Sequence, residues 1–455
     1  MDLGGKKVLV VGLARTGEAA AEVLLRRGAR VTITEKKTRE ALGSKADYWT
    51  GRGAALETGG HTPAAFLGAD LIIPSPGVPR LPEFAEARRR GIPVLSEIEL
   101  ASAFLKGAIV GITGTNGKST TTTLLHRIMK STGRRAFLAG NIGTPLLSFA
   151  DRSRDDDLYI TEISSFQMEY VRDFRASTAL LLNISGNHLD WHDSMDDYVA
   201  AKAKLILGQR SGDKAVLNRE DPRVWALKDR AASDVFAFSS RRPVRRGAFF
   251  REGWITFRDG DDRRLLPASE IKLPGLHNRE NVLAAALAAR ILGAASSRIR
   301  TAVRGFRGLE HRLESVVTVN GVLFVNDSKA TTVDAALKAL ASFTRPMVLI
   351  LGGKDKGSDF RPLRPAVKRG VKSVVLIGAA KDKIRAVLEG TVPLVEARTY
   401  PEAVRSAFSA ASPGDIVLLA PACTSWDMFN NFEERGRAFK REARRLRAAF
   451  VRKRG

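Results

Sequence analysis

The segment Gly111-Ile-Thr-Gly-Thr-Asn-Gly-Lys-Ser-Thr120 constrains the fold more than any other part of the chain. It overlaps the apolar run Ala108–Thr113, read as a buried strand, and leads into a helix predicted from Ser119. Strand, glycine-rich loop and helix in that order belong at the edge of a parallel α/β sheet. Glycines let backbone amides turn inward around phosphate oxygens, and the helix N-terminus adds a favourable dipole. Lys118 is predicted to reach the β/γ-phosphates and Ser119 to ligate Mg²⁺. The spacing departs from the common phosphate loop, because Ile112 stands where that motif has a glycine. An ordinary strand-to-helix turn would account for the glycines. It would not account for Gly-Lys-Ser-Thr at the helix start.

The rest of the chain reads as three blocks. The first runs to residue 106. It contains strand candidates Val8–Val11, Val31–Thr34 and Leu71–Pro74, with a helix over Glu18–Arg27 between the first two. Gly12-Leu-Ala-Arg-Thr-Gly17 opens that helix, but Ala14 stands where a dinucleotide fingerprint has its second glycine. This loop reads either as a nucleotide contact or as a tight turn. Glu35, at the end of the second strand, is placed to accept a ribose hydroxyl. The second block, residues 107–308, adds strands at Ala136–Ala139, Leu158–Glu162, Ala179–Leu182, Ala215–Leu217 and Val235–Phe238. It also holds a polar, basic stretch from Arg241 to Arg264, expected to form a peripheral sheet, and a helix over Asn278–Leu292. The third block, residues 309–455, opens with a hairpin. Val316–Val319 and Val322–Val325 flank Asn320-Gly321, which suits a type I′ turn. Helix and strand patterns then alternate through Val333–Ala341, Val348–Leu351, Val374–Ile377, Ala403–Ala411 and Ile416–Leu419, and a basic helix follows.

With 455 residues the chain exceeds what one core supports. A single cysteine, Cys423, excludes an internal disulfide and fits a reducing cytoplasm. It is read as a small buried apolar residue rather than as a nucleophile. No apolar run reaches membrane-spanning length, so no membrane partner is expected. The net charge of +25 raises nucleic acid as a partner. Aromatic residues make up only 7% and are not interleaved with the basic ones, so a solvated basic surface is the preferred reading.

Thr113-Gly-Thr-Asn-Gly-Lys-Ser-Thr120 resembles the ATP loop of the Mur ligases and the related folylpolyglutamate synthases. The resemblance continues in family order through Glu162-Ile-Ser-Ser-Phe-Gln167, Asn187-His-Leu-Asp190, Tyr198-Val-Ala-Ala-Lys202 and Gly275-Leu-His-Asn278. Glu310-His-Arg312, Asn326-Asp-Ser-Lys-Ala-Thr331, Gly352-Gly-Lys-Asp-Lys-Gly357, Ala420-Pro-Ala-Cys-Thr-Ser-Trp-Asp427 and Asn431-Phe-Glu-Glu-Arg-Gly436 complete it. The C-terminal motifs resemble those of the family members that add D-glutamate. The Asp-Asn-Pro-Arg motif of the diamino-acid-adding relatives is not found.

The resemblance implies an α/β architecture of three domains. These are a Rossmann-like substrate domain (1–106), a P-loop-type central ATPase domain (107–308) and a Rossmann-like C-terminal domain for the amino acid (309–455). It implies a cytoplasmic, monomeric ligase joining D-glutamate to UDP-N-acetylmuramoyl-L-alanine through an acyl phosphate, with ATP and two Mg²⁺ sites. Gly114, Thr115, Asn116, Gly117, Lys118, Ser119, Thr120, Asn278, Asn281, Arg312, Asp327 and Lys329 match ATP positions. Ser119 and Glu162 match one metal position, His188 and Lys202 the other. A lysine ammonium cannot ligate a cation, so Lys202 is implied to be carbamylated. On sequence alone it reads as a solvated helix lysine, and Asn278 as a helix N-cap. Arg15, Thr16, Glu35, Asn141 and Ser164 match UDP-substrate positions, with Arg15 standing where an apolar residue is expected. Thr331, Lys356, Ser425 and Phe432 match the glutamate pocket.

Overall fold

The continuous apolar runs become parallel strands, because a strand covered on both faces needs no alternation of polar residues. A computed structural model describes residues 1–185 and 192–452. It holds three sheets. Lys7–Val11 (β1), Arg30–Glu35 (β2), Ala55–Thr58 (β3) and Leu71–Pro74 (β4) form an all-parallel sheet in the order β3-β2-β1-β4. The helix Arg15–Arg26 connects β1 to β2.

The second sheet is built from Ala108–Thr113 (β5), Ala136–Gly140 (β6), Leu158–Glu162 (β7), Thr178–Leu181 (β8), Lys214–Asn218 (β9) and Asp234–Ser239 (β10). It also takes in Gly247–Arg251 (β11), Trp254–Asp259 (β12) and Asp261–Pro267 (β13), in the order β13-β12-β11-β10-β9-β8-β5-β7-β6. Only the β11–β12 and β12–β13 pairings are antiparallel. The basic stretch expected to form a peripheral sheet lies at one end of this one, joined to it because β10 and β11 pair directly. The third sheet comprises Glu314–Val319 (β14), Val322–Asn326 (β15), Met347–Gly352 (β16), Val371–Ile377 (β17), Leu394–Glu396 (β18) and Ile416–Leu419 (β19), in the order β14-β15-β19-β16-β17-β18. The predicted β14–β15 hairpin turns through Asn320 (φ 46°) and Gly321 (φ 77°), both left-handed as a type I′ turn requires.

Two compact units result. One comprises Met1–Ile271 and Arg279–Gly305, the other Lys272–Asn278 and Phe306–Gly455. In the first unit, strand β1 and the central strands share a continuous core that includes Val10, Ile33, Leu100, Leu146, Leu181 and Tyr198. In the second unit, two clusters cover opposite faces of the third sheet. One is centred on Leu349, Leu376 and Leu418, the other on Phe324, Ile350 and Phe439. Phe439 comes from the helix Phe432–Arg452, whose outer face carries exposed arginines.

Candidate active site

In the first unit the loop after β5 lies between the C-terminal ends of β7 and β8, where open α/β sheets place ligands. Gly117 precedes the helix Lys118–Ser131 with φ at +85°. A side chain there would also meet Asn281 Oδ1 at 2.0 Å, so the glycine lets the helix Leu276–Ile291 approach the loop. Lys118 Nζ folds back over the loop and donates to Gly114 O (2.9 Å) and Thr115 O (3.0 Å). Ser119 and Thr120 are buried in the first helical turn.

Two further side chains clamp this loop. The Asn116 amide donates to Asn183 Oδ1 (2.8 Å), and Asn183 Nδ2 donates to Asn116 O (3.1 Å). Tyr198, which the sequence marks only as the start of a motif, shares a hydrogen bond with Thr115 (3.1 Å). Asn183 is in none of the motifs. Its one signal in the sequence is a polar residue just beyond the buried strand β8, on the same edge as the loop.

Glu162 ends β7 and is buried. Asn141 Nδ2 donates to Glu162 Oε1 at 2.7 Å, and the Asn141 amide to Glu162 O at 2.9 Å. The other carboxylate oxygen, Oε2, is buried with no hydrogen-bond partner among the described residues. A buried carboxylate oxygen left open beside a phosphate loop fits a divalent cation, which prefers anionic oxygen ligands. Ser164 caps the short helix that follows, Ser165–Glu169, through a capping box with Gln167.

Lys202 is not the solvated helix lysine its sequence suggests. Only 1% of it is exposed, and its ammonium donates to Gly114 O (3.0 Å) and Thr113 Oγ1 (3.4 Å) over the Tyr198 ring. Burial and then the nearby Lys118 ammonium push its pKa well below the usual lysine range, against the pull of Glu162. His188 lies outside the described residues. His192, just beyond them, is buried and stacked on Phe166, with both ring nitrogens lacking a hydrogen-bond partner among the described residues.

In the β1–β4 sheet, Glu35 accepts from the Leu13 amide (2.7 Å) and the Lys37 amide (3.1 Å). Its carboxylate thus ties the Gly12–Gly17 loop to β2. Gly17 packs so closely that a side chain would meet Gly12 O at 1.9 Å. Arg15 donates to Gly143 O, two residues beyond Asn141, while Thr16 lies half-buried in the first helical turn.

In the second unit, Asp327–Thr331 follows β15, residues 353–357 follow β16 and residues 420–425 follow β19. These three strands are neighbours, so their loops share one edge. Asp327 accepts from the Leu313 amide (3.3 Å), and burial raises its carboxyl pKa to about 6 despite the nearby Arg312 guanidinium. The Lys329 amide donates to His311 O (3.1 Å), and its ammonium lies 5.6 Å from the Phe432 ring centre. The Ala422 amide donates to Ala330 O beside Thr331. Lys354 and Thr424 pair backbone to backbone (3.0 and 3.1 Å), which holds the loop of Lys356 against that of Ser425.

Arg435, another residue marked in the sequence only by its motif, is buried behind these loops. It donates to Ser328 Oγ, Ser328 O and Cys423 O, and burial lowers its pKa. Cys423 is buried and its thiol pushed up to about 12, which suits a packing role. Asn278 is not an N-cap. The helix begins at Leu276, and Asn278 Nδ2 reaches back to Pro274 O (2.7 Å).

Fold and site together define a multidomain α/β protein with a nucleotide-phosphate loop beside a buried carboxylate. The Mur ligase MurD-like N-terminal domain model matches residues 6–96, the Mur ligase middle domain residues 112–289, and the Mur ligase glutamate ligase domain residues 311–423. A UDP-N-acetylmuramoylalanine–D-glutamate ligase of Acidobacterium capsulatum is 50% identical over 97% of this chain and 96% of its own length. Ligases of the same name from Koribacter versatilis and Solibacter usitatus are 45% and 47% identical over 98% and 97% of this chain, and 99% and 98% of theirs. The fold is shared with a UDP-N-acetylmuramate-alanine ligase of Thermotoga maritima (TM-score 0.60, 18% identity, covering 97% of this chain and 99% of that one). It is shared too with a MurF ligase of the same organism in complex with ADP (TM-score 0.59, 16% identity, covering 98% and 96%). The chain belongs to the Mur ligase family, whose members are ATP-dependent amide-bond-forming enzymes of peptidoglycan precursor synthesis.

Proposed function

We propose that this enzyme joins D-glutamate to UDP-N-acetylmuramoyl-L-alanine in the cytoplasm, as a monomer. The observation that carries the reading is the phosphate loop packed against Glu162 and Lys202, in a chain half identical to a ligase named for that reaction. An oxygen of the alanyl carboxylate attacks the γ-phosphorus of ATP, and ADP leaves. The amine of D-glutamate then attacks the acyl carbonyl, loses a proton, and expels phosphate. Such chemistry asks the protein chiefly for positioning and charge neutralisation. Lys118 supplies charge at the transferring phosphoryl group, and the loop Gly114–Thr120 holds its oxygens through the amides that are not bonded to Asn183.

Ser119 and Glu162 would hold a Mg²⁺ ion, which would supply charge screening at the phosphates. His188 and a carbamylated Lys202 would hold a second ion. A carbamate would replace a buried cation, hydrogen-bonded to a carbonyl and a hydroxyl, with an oxygen donor; it would form by addition of carbon dioxide to the neutral amine that burial favours, with loss of one amine proton to solvent. Asn278, Asn281, Arg312, Asp327 and Lys329 are assigned to the nucleotide, Asp327 to its ribose. Arg15, Thr16, Glu35, Asn141 and Ser164 are assigned to the UDP substrate, and Thr331, Lys356, Ser425 and Phe432 to D-glutamate. Residues 1–106, 107–308 and 309–455 are the corresponding functional domains. ADP release with UDP-N-acetylmuramoyl-L-alanine tests the reading, with D-glutamate set against L-glutamate, L-alanine and diaminopimelate. Turnover with D-glutamate alone is expected. Preference for another amino acid overturns it.

A further inference from the structure

Trp426 is an exposed large aromatic residue, with 59% of its surface accessible. Its backbone is nevertheless held on both sides. Thr424 is paired with Lys354, and Asp427 Oδ2 accepts from the Ala379 amide at 2.9 Å. The indole therefore projects from a fixed support, and core packing does not explain its size. Its face is occupied: Lys356 Nζ sits 4.5 Å from the ring centroid. The Lys354–Thr424 pair fixes the two loops against each other, and the ammonium-to-ring contact is made where they continue past it. Lys356 has a flexible four-carbon stem on a glycine-flanked loop, and such a side chain loses much rotamer freedom when it binds a carboxylate.

We infer that Trp426 is a positioning and specificity-determining residue for the incoming amino acid, its indole face holding the Lys356 ammonium where a substrate carboxylate will meet it. The inference rests on the D-glutamate reading above. An ammonium has three N–H donors, so stacking on the ring leaves its outer side open to a carboxylate. The indole lowers the cost of ordering the lysine. It takes no part in phosphoryl transfer, so its effect belongs to amino-acid capture.

The test is steady-state kinetics with ATP and UDP-N-acetylmuramoyl-L-alanine saturating and D-glutamate varied. Trp426→Leu is expected to raise the KM for D-glutamate about two- to fivefold, the size of an exposed cation–π contact, with kcat held. Trp426→Phe keeps a ring and is expected to stay within about twofold of the native value. In a Lys356→Met background, Trp426→Leu should add nothing further. Three results would overturn the assignment: equal effects of the Leu and Phe variants, no effect of Leu, or a Leu effect as large in the Lys356→Met background as in the native one. The difference in emission between the native enzyme and Trp426→Phe isolates this indole, and Lys356→Met should change it without any substrate. An unchanged difference overturns the contact itself. A native enzyme that releases no ADP with D-glutamate sinks the reaction reading and the glutamate role with it, while the emission result still decides the contact.

Discussion

Asn141 holds Glu162 by its side chain and its backbone at once, at 2.7 and 2.9 Å, and leaves Glu162 Oε2 without a hydrogen-bond partner among the described residues. A residue matched to the UDP substrate therefore also orients the carboxylate assigned to Mg²⁺. Removing a partner that orients a metal ligand typically costs roughly 10–100-fold in metal affinity or activity. Asn141→Ala is predicted to raise the Mg²⁺ concentration for half-maximal activity by about that factor. A shift confined to the KM for the UDP substrate would remove the tether from the account.

Lys118→Ala should lower kcat by at least about 10²–10³-fold in a protein that remains folded, since it removes a preorganised charge from the transferring phosphoryl group. Circular dichroism and ADP release settle it together. Near-native turnover by the folded variant would take Lys118 out of the role.

The buried parallel strands were legible because they are written as unbroken apolar runs. Leu71–Pro74, Ala108–Thr113, Leu158–Glu162 and Ile416–Leu419 span the residues the sequence indicates. Strands β3 and β18 were not legible. Ala-Leu-Glu-Thr and Leu-Val-Glu are short edge strands with half-exposed residues, which carry no such run. The helix Leu363–Gly370 was hidden by Pro365 and by its basic residues. In the site, the phosphate loop announces itself because its chemistry is contiguous in sequence. The burial of Lys202 does not, because Thr113 and Gly114, which enclose it, lie 89 and 88 positions away in sequence. The roles of Asn183 and Arg435 were hidden for the same reason, since each acts on backbone far away in sequence.

Glu97 makes a prediction about pH. It is buried, Oε1 accepts from the Leu147 amide, Oε2 has no hydrogen-bond partner among the described residues, and burial raises its pKa to about 7. A carboxyl whose folded pKa exceeds its unfolded value of 4.5 takes up a proton on folding. The contribution of this group to stability is therefore full below the unfolded value, falls between pH 4.5 and about 7, and is flat above, a loss of about 3 kcal/mol from Glu97. Glu97→Gln cannot ionise. Its melting temperature should exceed that of the native enzyme at pH 8, and the gap should shrink at pH 5. A gap of equal size at both pH values would refute the buried titration.

Lys202→Ala is predicted to be inactive, with part of the activity restored by millimolar short carboxylates. In the native protein the ammonium lies between Gly114 O, Thr113 Oγ1 and the Tyr198 ring. Truncation to a methyl opens space beside the phosphate loop in which a small anion can stand in for the proposed carbamate. Chloride and methylammonium serve as controls, because neither supplies a carboxylate oxygen. Activity that survives without rescue would refute the carbamate.

Lys356→Ala addresses the choice of amino acid, which separates this enzyme from other members of its family. Lys356 lies in the loop after β16, at the edge shared with the loops after β15 and β19. Thr331 and Ser425 lie on those two loops, so on the proposed assignment a carboxylate entering there would meet two hydroxyls and one ammonium. Losing one charge-assisted contact costs on the order of 1.5–3 kcal/mol, or roughly ten- to over a hundredfold in KM for D-glutamate. The KM for ATP should change little, because Lys356 is assigned no part in holding the nucleotide. A surface lysine without this role would leave both constants unchanged. Varying each substrate in turn decides between them: an unchanged KM for D-glutamate, or an equal loss for ATP and D-glutamate, would sink the assignment.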